Sequence, residues 1–305
     1  MKRLLPLGIQ DFPKIRERGF VYVDKTARIH ELITGSGDSF FLSRPRRFGK
    51  SLLCSTLETI FEGRRELFGE MAGRPALAIN SLDWDWKKHP VIRIDLNAEA
   101  YSVGGLDALH SIFSAELQRE ARRHGVTLEP GNFISQFKYL IEMTCNNAGE
   151  RAVVIIDEYD KPLLETMTGG KAVYESILNT LKGFYGVLKS YDKYLRLLFI
   201  TGVTKFSKVS VFSDLNHLDD LTLDSCYADI CGITQEELER NFGPEIEKIL
   251  EETGRSREEY IENLRRYYNG YRFSEKPLKM YNPFGLLYHF KRGGRFDPYW
   301  YETGT

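Results

Sequence analysis

The chain has 305 residues, with 42 basic and 43 acidic side chains and a formal net charge of −1. That near balance gives no global attraction to nucleic acid or an anionic membrane, so any such binding must come from a local patch. A hydrophobic fraction of 42% with 13% aromatics is enough for a sizeable core, and no apolar run approaches the roughly 20 residues that a membrane span requires.

The start, MKRLLPLGIQDF, is broken by Pro6, Gln10 and Asp11 and does not read as a signal peptide. Asp24-Lys25-Thr26 read as a turn with a helix cap at Thr26, or as a segment packed near a bound base. DSFFLS (38–43) is a short apolar run suited to a buried strand, and a helix is predicted from Lys50 to about Phe61, stopping near Gly63. HPVIRIDLN (89–97) is a second β-branched run. The amphipathic helix GGLDALHSIFSAELQREARRHG stops at Gly125, and NFISQFKYLIEMTCNN closes at Gly149. AVVIID (152–157) is a third strand, a helix covers about 172–190, and RLLFITGV (196–203) is a fourth strand. DLTL (220–223) suits a short fifth. Apolar strands alternating with helices predict a parallel sheet covered on both faces.

After about Ser225 the texture changes. Thr234 with Glu237 and Ser256 with Glu259 form two capping boxes, so two polar helices are predicted there. YYNGYRF suggests a hairpin, and Asn282-Pro283 caps a further helix. These features divide the chain into an α/β domain over 1–225 and a small helical or winged-helix-like lid over 226–305. The abrupt end, YWYETGT, is expected to be a truncation. The four cysteines, Cys54, Cys145, Cys226 and Cys231, show no zinc spacing and are expected to be buried thiols in a reducing, cytoplasmic protein.

Two stretches carry the chemistry. FFLSRPRRFGKSLL (40–53) follows a predicted strand and opens a predicted helix with Gly49-Lys50-Ser51, the placement a phosphate-binding loop needs. A helix N-terminus offers unpaired N–H groups and partial positive charge to phosphate. Lys50 would then reach the β- and γ-phosphates and the Ser51 hydroxyl would hold Mg²⁺. Arg44 stands where such a loop has glycine; a left-handed backbone there would cost ~1–2 kcal/mol. The segment Arg44, Pro45, Arg46, Arg47, Phe48, Gly49, Lys50, Ser51 and Leu52 is taken as the nucleotide cradle, its arginines adding charge. The other stretch, VIIDEYD, ends a buried strand in acids. Asp157 is the expected Mg²⁺ partner, Glu158 the general base for water, and Asp160 an orienting or coordinating group. Lys50 and the acids are expected to face one polyphosphate across neighbouring strands.

Thr201 ends the fourth strand and could meet the γ-phosphate or the attacking water, or simply be a satisfied strand residue. Thr204-Lys205-Phe206-Ser207 lacks the acid of a guanine-reading Thr-Lys-x-Asp, which favours ATP over GTP. Arg272 is a candidate sensor arginine, and Asp24 a candidate neighbour of the base. Arg255, Arg257, Arg265 and Arg266 would be the basic residues of any nucleic-acid face, but they alternate with glutamates. Trp84 and Trp86 are expected to be packing anchors.

YVDKT, FLSRPRRFGKSLL, VIIDEYDKP, FITGVTKFS, YNGYRF, YNPF and YWYETGT together resemble the bacterial and archaeal AAA-ATPase-like family, over about residues 8–305. Its members are similar to STAND and archaeal ATPases and often carry a PD-(D/E)XK nuclease-like domain, for which no paired Asp and Glu-x-Lys is seen here. The resemblance implies an ASCE (RecA-like) P-loop NTPase sandwich of three layers with a C-terminal lid. It also implies Asp157 and Glu158 in Walker B roles, the arginine-rich loop as the normal Walker A form, and ATP with Mg²⁺ as ligands. Two functions are weighed: ATP hydrolysis coupled to conformational change, or a nucleotide-gated switch or scaffold with little turnover. A protein partner, self-association or a nucleic-acid-processing domain is open in either.

Overall fold

The computed structural model describes residues 3–97, 101–167, 170–205, 211–212, 215 and 217–299. Five strands, β1 (Ser39–Ser43), β2 (Val91–Asp95), β3 (Ala152–Asp157), β4 (Leu195–Gly202) and β5 (Asp219–Asp220), form one all-parallel sheet in the order β2-β3-β4-β1-β5. Their side chains alternate between two buried clusters. Phe41, Ile92, Ile94, Val154, Ile156, Leu198 and Ile200 enter one, and Phe40, Leu42, Val91, Val153, Ile155, Leu197 and Phe199 enter the other. This is the two-residue period of a strand read out with both faces dry, which is why β1 to β4 are largely apolar runs; the edge strand β5 is the pair Asp219–Asp220, partly exposed, and not the expected apolar stretch 220–223.

Helices α1 (Phe12–Glu17), α2 (Thr26–Thr34) and α3 (Lys50–Phe61) cover one face. The opposite face is covered by α4 (Tyr101–Arg123), α5 (Phe133–Ala148), α6 (Lys161–Thr166) and α7 (Lys171–Ser190). The result is the expected three-layer α/β sandwich, compatible with a P-loop NTPase. Local chemistry sets the ends: Asn132 caps α5 by accepting from the Ser135 N–H, and Gly149 closes it in the left-handed conformation. One helix differs from its sequence pattern: α4 starts at Tyr101 and breaks at Gly105 (φ 51°, ψ −125°). Trp84 and Trp86 pack edgewise or tilted on Phe61 and Phe68, as anchors. Cys54, Cys145 and Cys231 are buried free thiols, whereas Cys226 is exposed.

Beyond β5 come α8 (Gln235–Thr253), α9 (Arg257–Tyr268) and α10 (Pro283–Lys291). Thr234 and Glu237 form a reciprocal capping box, Ser256 accepts from the Glu259 N–H, and Asn282 accepts from the Gly285 N–H. In place of a hairpin there are single antiparallel bridges, Tyr271 with Met280 and Ile233 with Tyr281. These helices share a core with N-terminal Leu5, Val21 and Val23. The sheet's own core in turn includes Ala228, Ile230, Cys231, Phe273 and Met280, so buried side chains pack across residue 225. No helix among the described residues is long and apolar enough to cross a membrane.

Candidate functional site

The loop between β1 and α3 ends at Gly49 (φ 98°), the residue just before the helix. The expected strain is not at Arg44. The residue's N–H donates to the Gly202 carbonyl at 3.1 Å and extends the ladder from β1 to β4, while the left-handed non-glycine position in the loop is Arg47 (φ 62°). Nor does the Arg44 guanidinium line the cradle. It is 1% exposed, donates to the carbonyls of Ser43, Thr222 and Tyr227 at 2.9–3.1 Å, and lies 4.1 Å from the Phe273 ring centroid. Burial lowers its pKa to about 10. Phe48 likewise points into the core, edge-on to Tyr271 and Phe273. Arg47 stacks on Phe284 at 4.0 Å, and Arg46 is exposed. The loop is therefore held in shape by aromatic residues of the C-terminal region, which loop-level reading had no means to see.

Lys50 opens α3 with its ammonium 3.3 Å from the Pro45 carbonyl and 3.4 Å from Glu158 Oε1. Asp157 ends β3, wholly buried. Its Oδ1 accepts the Glu158 N–H at 3.1 Å, and its Oδ2 has no hydrogen-bond partner. Burial pushes the Asp157 carboxyl up to about 6; a hydrogen bond with the Ser51 side chain and the charge of Arg93 oppose this, while Asp95 adds to it. Glu158 has a left-handed backbone (φ 54°), a conformation that costs of order 1 kcal/mol and collects at functional sites. The loop and the acids do not sit on neighbouring strands: β4 lies between β1 and β3. Strands are ~4.8 Å apart, so the gap is about 10 Å, and it is closed because Lys50 and Ser51 reach back over the ends of the strands.

Two adjoining cavities meet at Gly49 and Leu52. One, of about 320 Å³, is lined by Arg47, Lys50, Ser51 and Glu158 with Gly8, Ile9 and Phe284. The other, of about 100 Å³, is apolar, between Val21, Tyr22, Val23, Lys25, Ile29 and Phe48 on one side and Ile230, Cys231, Gly232 and Ile233 on the other. Asp24 lines neither. It accepts from the Thr26 N–H and hydroxyl and from the Ala78 N–H, so it braces the first residue of α2, whose N-cap is Lys25, against residue 78. Arg272 is exposed and lines neither cavity. The Thr201 hydroxyl donates to the Leu42 carbonyl at 2.8 Å and is fully buried, the satisfied strand residue of the two readings. Asp160 accepts from Val203 and Thr204 and pins the end of β4. Lys205 pairs with Asp220 at 2.6 Å; Phe206 and Ser207 lie outside the described residues.

Sequence reasoning passed over Arg93. It is the lone basic residue inside the second apolar strand, and strand alternation sends it to the α3 face, where Nη2 lies 3.6 Å from Asp157 Oδ2. A single charge in an otherwise apolar run was the available signal.

The oxygen donors suit a hard cation. An orphaned, buried Asp157 Oδ2 beside the Ser51 side chain is a fitting pair for Mg²⁺, and among the described residues no group of three His, Cys, Asp or Glu could hold a metal unaided.

Comparison with known proteins fits this arrangement. The model of a family described as predicted AAA-ATPase, AAA-ATPase-like, matches residues 6–212. An uncharacterized protein in the vnfD 5' region of Azotobacter chroococcum mcd 1 is 39% identical over 306 residues, covering 100% of this chain and 55% of that protein. The chain thus spans about half the length of the relative it matches. No solved structure matches. The family model spans two thirds of the chain and the relative spans all of it, and the chain therefore belongs to the AAA-ATPase-like family.

Proposed function

We propose that the cleft binds ATP with Mg²⁺ and hydrolyses it, coupling turnover to movement of the C-terminal helices. The observation that carries this reading is the convergence of Lys50, Ser51 and Glu158 from two elements onto one cavity, with the Lys50 ammonium 3.4 Å from Glu158 and the buried Asp157 carboxylate next to it, hydrogen-bonded to the Ser51 side chain. In this reading the first N–H groups of α3 and the Lys50 ammonium take the β- and γ-phosphates. Ser51 and Asp157 hold Mg²⁺, and the chemistry that a bound Mg²⁺ supplies is neutralisation of polyphosphate charge. Arg47, at the cavity wall, adds a further cation. The adjoining apolar cavity takes the base. Glu158 leaves its contact with Lys50, orients a water and accepts its proton; the water oxygen bonds to the γ-phosphorus and the bond to the ADP oxygen breaks.

Calorimetric titration with ATP and GTP, with and without Mg²⁺, followed by a phosphate-release assay, tests the reading. We expect Mg²⁺-dependent ATP binding, and a Glu158→Gln protein that still binds but turns over roughly 100-fold more slowly. Equal turnover in that variant would remove Glu158 from its role.

A second reading, a switch with little turnover, draws on the anchoring of the loop by Phe273, Tyr271 and Phe284, which links cleft occupancy to the C-terminal region. ATP binding without phosphate release would select it. Nucleic-acid binding has weaker support: Arg257 pairs with Glu247, Arg265 with Glu262, and Arg255 lies over Phe296.

A further inference from the structure

We infer that Arg93 is an exchangeable counter-ion for Asp157, a positioning residue that keeps bare divalent cations out of the site and admits metal only together with a polyphosphate. The ligand in this inference rests on the nucleotide reading above; the residue rests on the geometry of β2, β3 and α3. The pleat of β2 and β3 turns Arg93 and Asp157 to the same face of the sheet, that of α3. Arg93 Nη2 stands 3.6 Å from Asp157 Oδ2, the oxygen without a hydrogen bond. Arg93 Nη1 meets Glu58 Oε2 at 3.1 Å. Glu58 follows Ser51 by two turns of α3, on the same face. One guanidinium thus sits between two carboxylates, one placed to ligate a metal and the other not.

A cation arriving alone at Asp157 meets an arginine that stays charged at any working pH. The repulsion acts where water screens poorly. A metal arriving with phosphate brings its own negative charge, and Arg93 keeps Glu58 as a partner. Among the described residues no group of three His, Cys, Asp or Glu gathers here, which agrees with this, because phosphate oxygens would complete the coordination.

The test is a nucleotide-free titration with Mn²⁺, read by the paramagnetic resonance signal of the free ion, on folded protein verified by thermal melting. The parent is expected to bind Mn²⁺ no better than millimolar. Arg93→Gln is expected to bind roughly tenfold more tightly, Arg93→Lys to return to the parent value, and the gain to vanish when Asp157→Asn is added. A folded Arg93→Gln protein with no gain overturns the inference. So does micromolar binding by the parent that Asp157→Asn abolishes, an outcome that needs no Arg93 variant to fold. No nucleotide is present in this titration, so a failure of ATP to bind in the calorimetric experiment counts against the nucleotide reading alone.

Discussion

Arg44 stands where a phosphate loop of the usual pattern has glycine, and its surroundings explain how it is tolerated. Its backbone continues a strand, and its buried side chain donates to three backbone carbonyls, those of Ser43, Thr222 and Tyr227. Its role is to hold the loop against residues 222–227 and Phe273. Arg44→Met should therefore cost about 3 kcal/mol of stability, from charged hydrogen bonds and unpaired carbonyls, measurable as a shifted urea midpoint. A variant that stays as stable as the parent while losing only nucleotide affinity would return Arg44 to the phosphates. Thr201 gives a smaller contrast. Thr201→Val removes one hydrogen bond to β1, worth about 1 kcal/mol, and is expected to leave the rate of phosphate release unchanged; a drop of tenfold or so would restore its catalytic role.

At the scale of elements, the segment before α8 shapes the loop from a distance in sequence. Gly232 has φ 85°, and a Cβ there would stand 2.4 Å from Phe48 Cε1. Its N–H also donates to the Phe48 carbonyl at 3.2 Å. Gly232→Ala combines backbone strain with a clash on a buried ring, so it should loosen the loop and weaken ATP binding roughly tenfold, read by a titration against the parent. Helix α10 carries a pH-sensitive group. The His289 ring is buried; its Nδ1–H donates to the Arg295 carbonyl and its Nε2 accepts the Tyr260 hydroxyl at 2.6 Å. Burial lowers its pKa from 6.5 to about 4. The unfolded chain then binds the extra proton between those values. The stability associated with the neutral ring is complete above pH 6.5 and is lost as pH falls toward 4, up to ~3 kcal/mol. Melting temperatures from pH 7 to 4 should fall for the parent, and this component of the fall should be absent in His289→Gln.

Across the whole molecule, the N-terminal segment and the C-terminal helices close around the apolar cavity and are linked by charge pairs. Lys25 bonds Glu237, Arg28 bonds Asp229 and Arg3 bonds Glu245, all within 2.6–3.1 Å. With Ile230, Cys231 and Phe273 buried against the sheet, a division at residue 225 would expose apolar surface on both pieces. A fragment of residues 1–225 is expected to lose its cooperative thermal transition and to precipitate; a sharp, reversible melt would establish the division as one between independent domains.

What the sequence determined by itself is what depends on local pattern. Strands β1 to β4 followed from their apolar runs, α3, α5 and α8 from their caps and stops, and the pairing of Gly49-Lys50-Ser51 with the acids after Ile156 from a strand-loop-helix and a strand end. These signals lie within one element or its borders, where propensity and periodicity act. Tertiary structure decided which side chains those motifs present. It inserted β4 between the two halves of the site, turned Arg44 away from the cleft and Phe48 to the wall of the apolar cavity, tied Thr201 to β1 and brought Arg93 to Asp157. Each of these depends on contacts between residues some 50 to 230 positions apart, and no local pattern encodes the partner of a charge or a ring until the chain has folded around it.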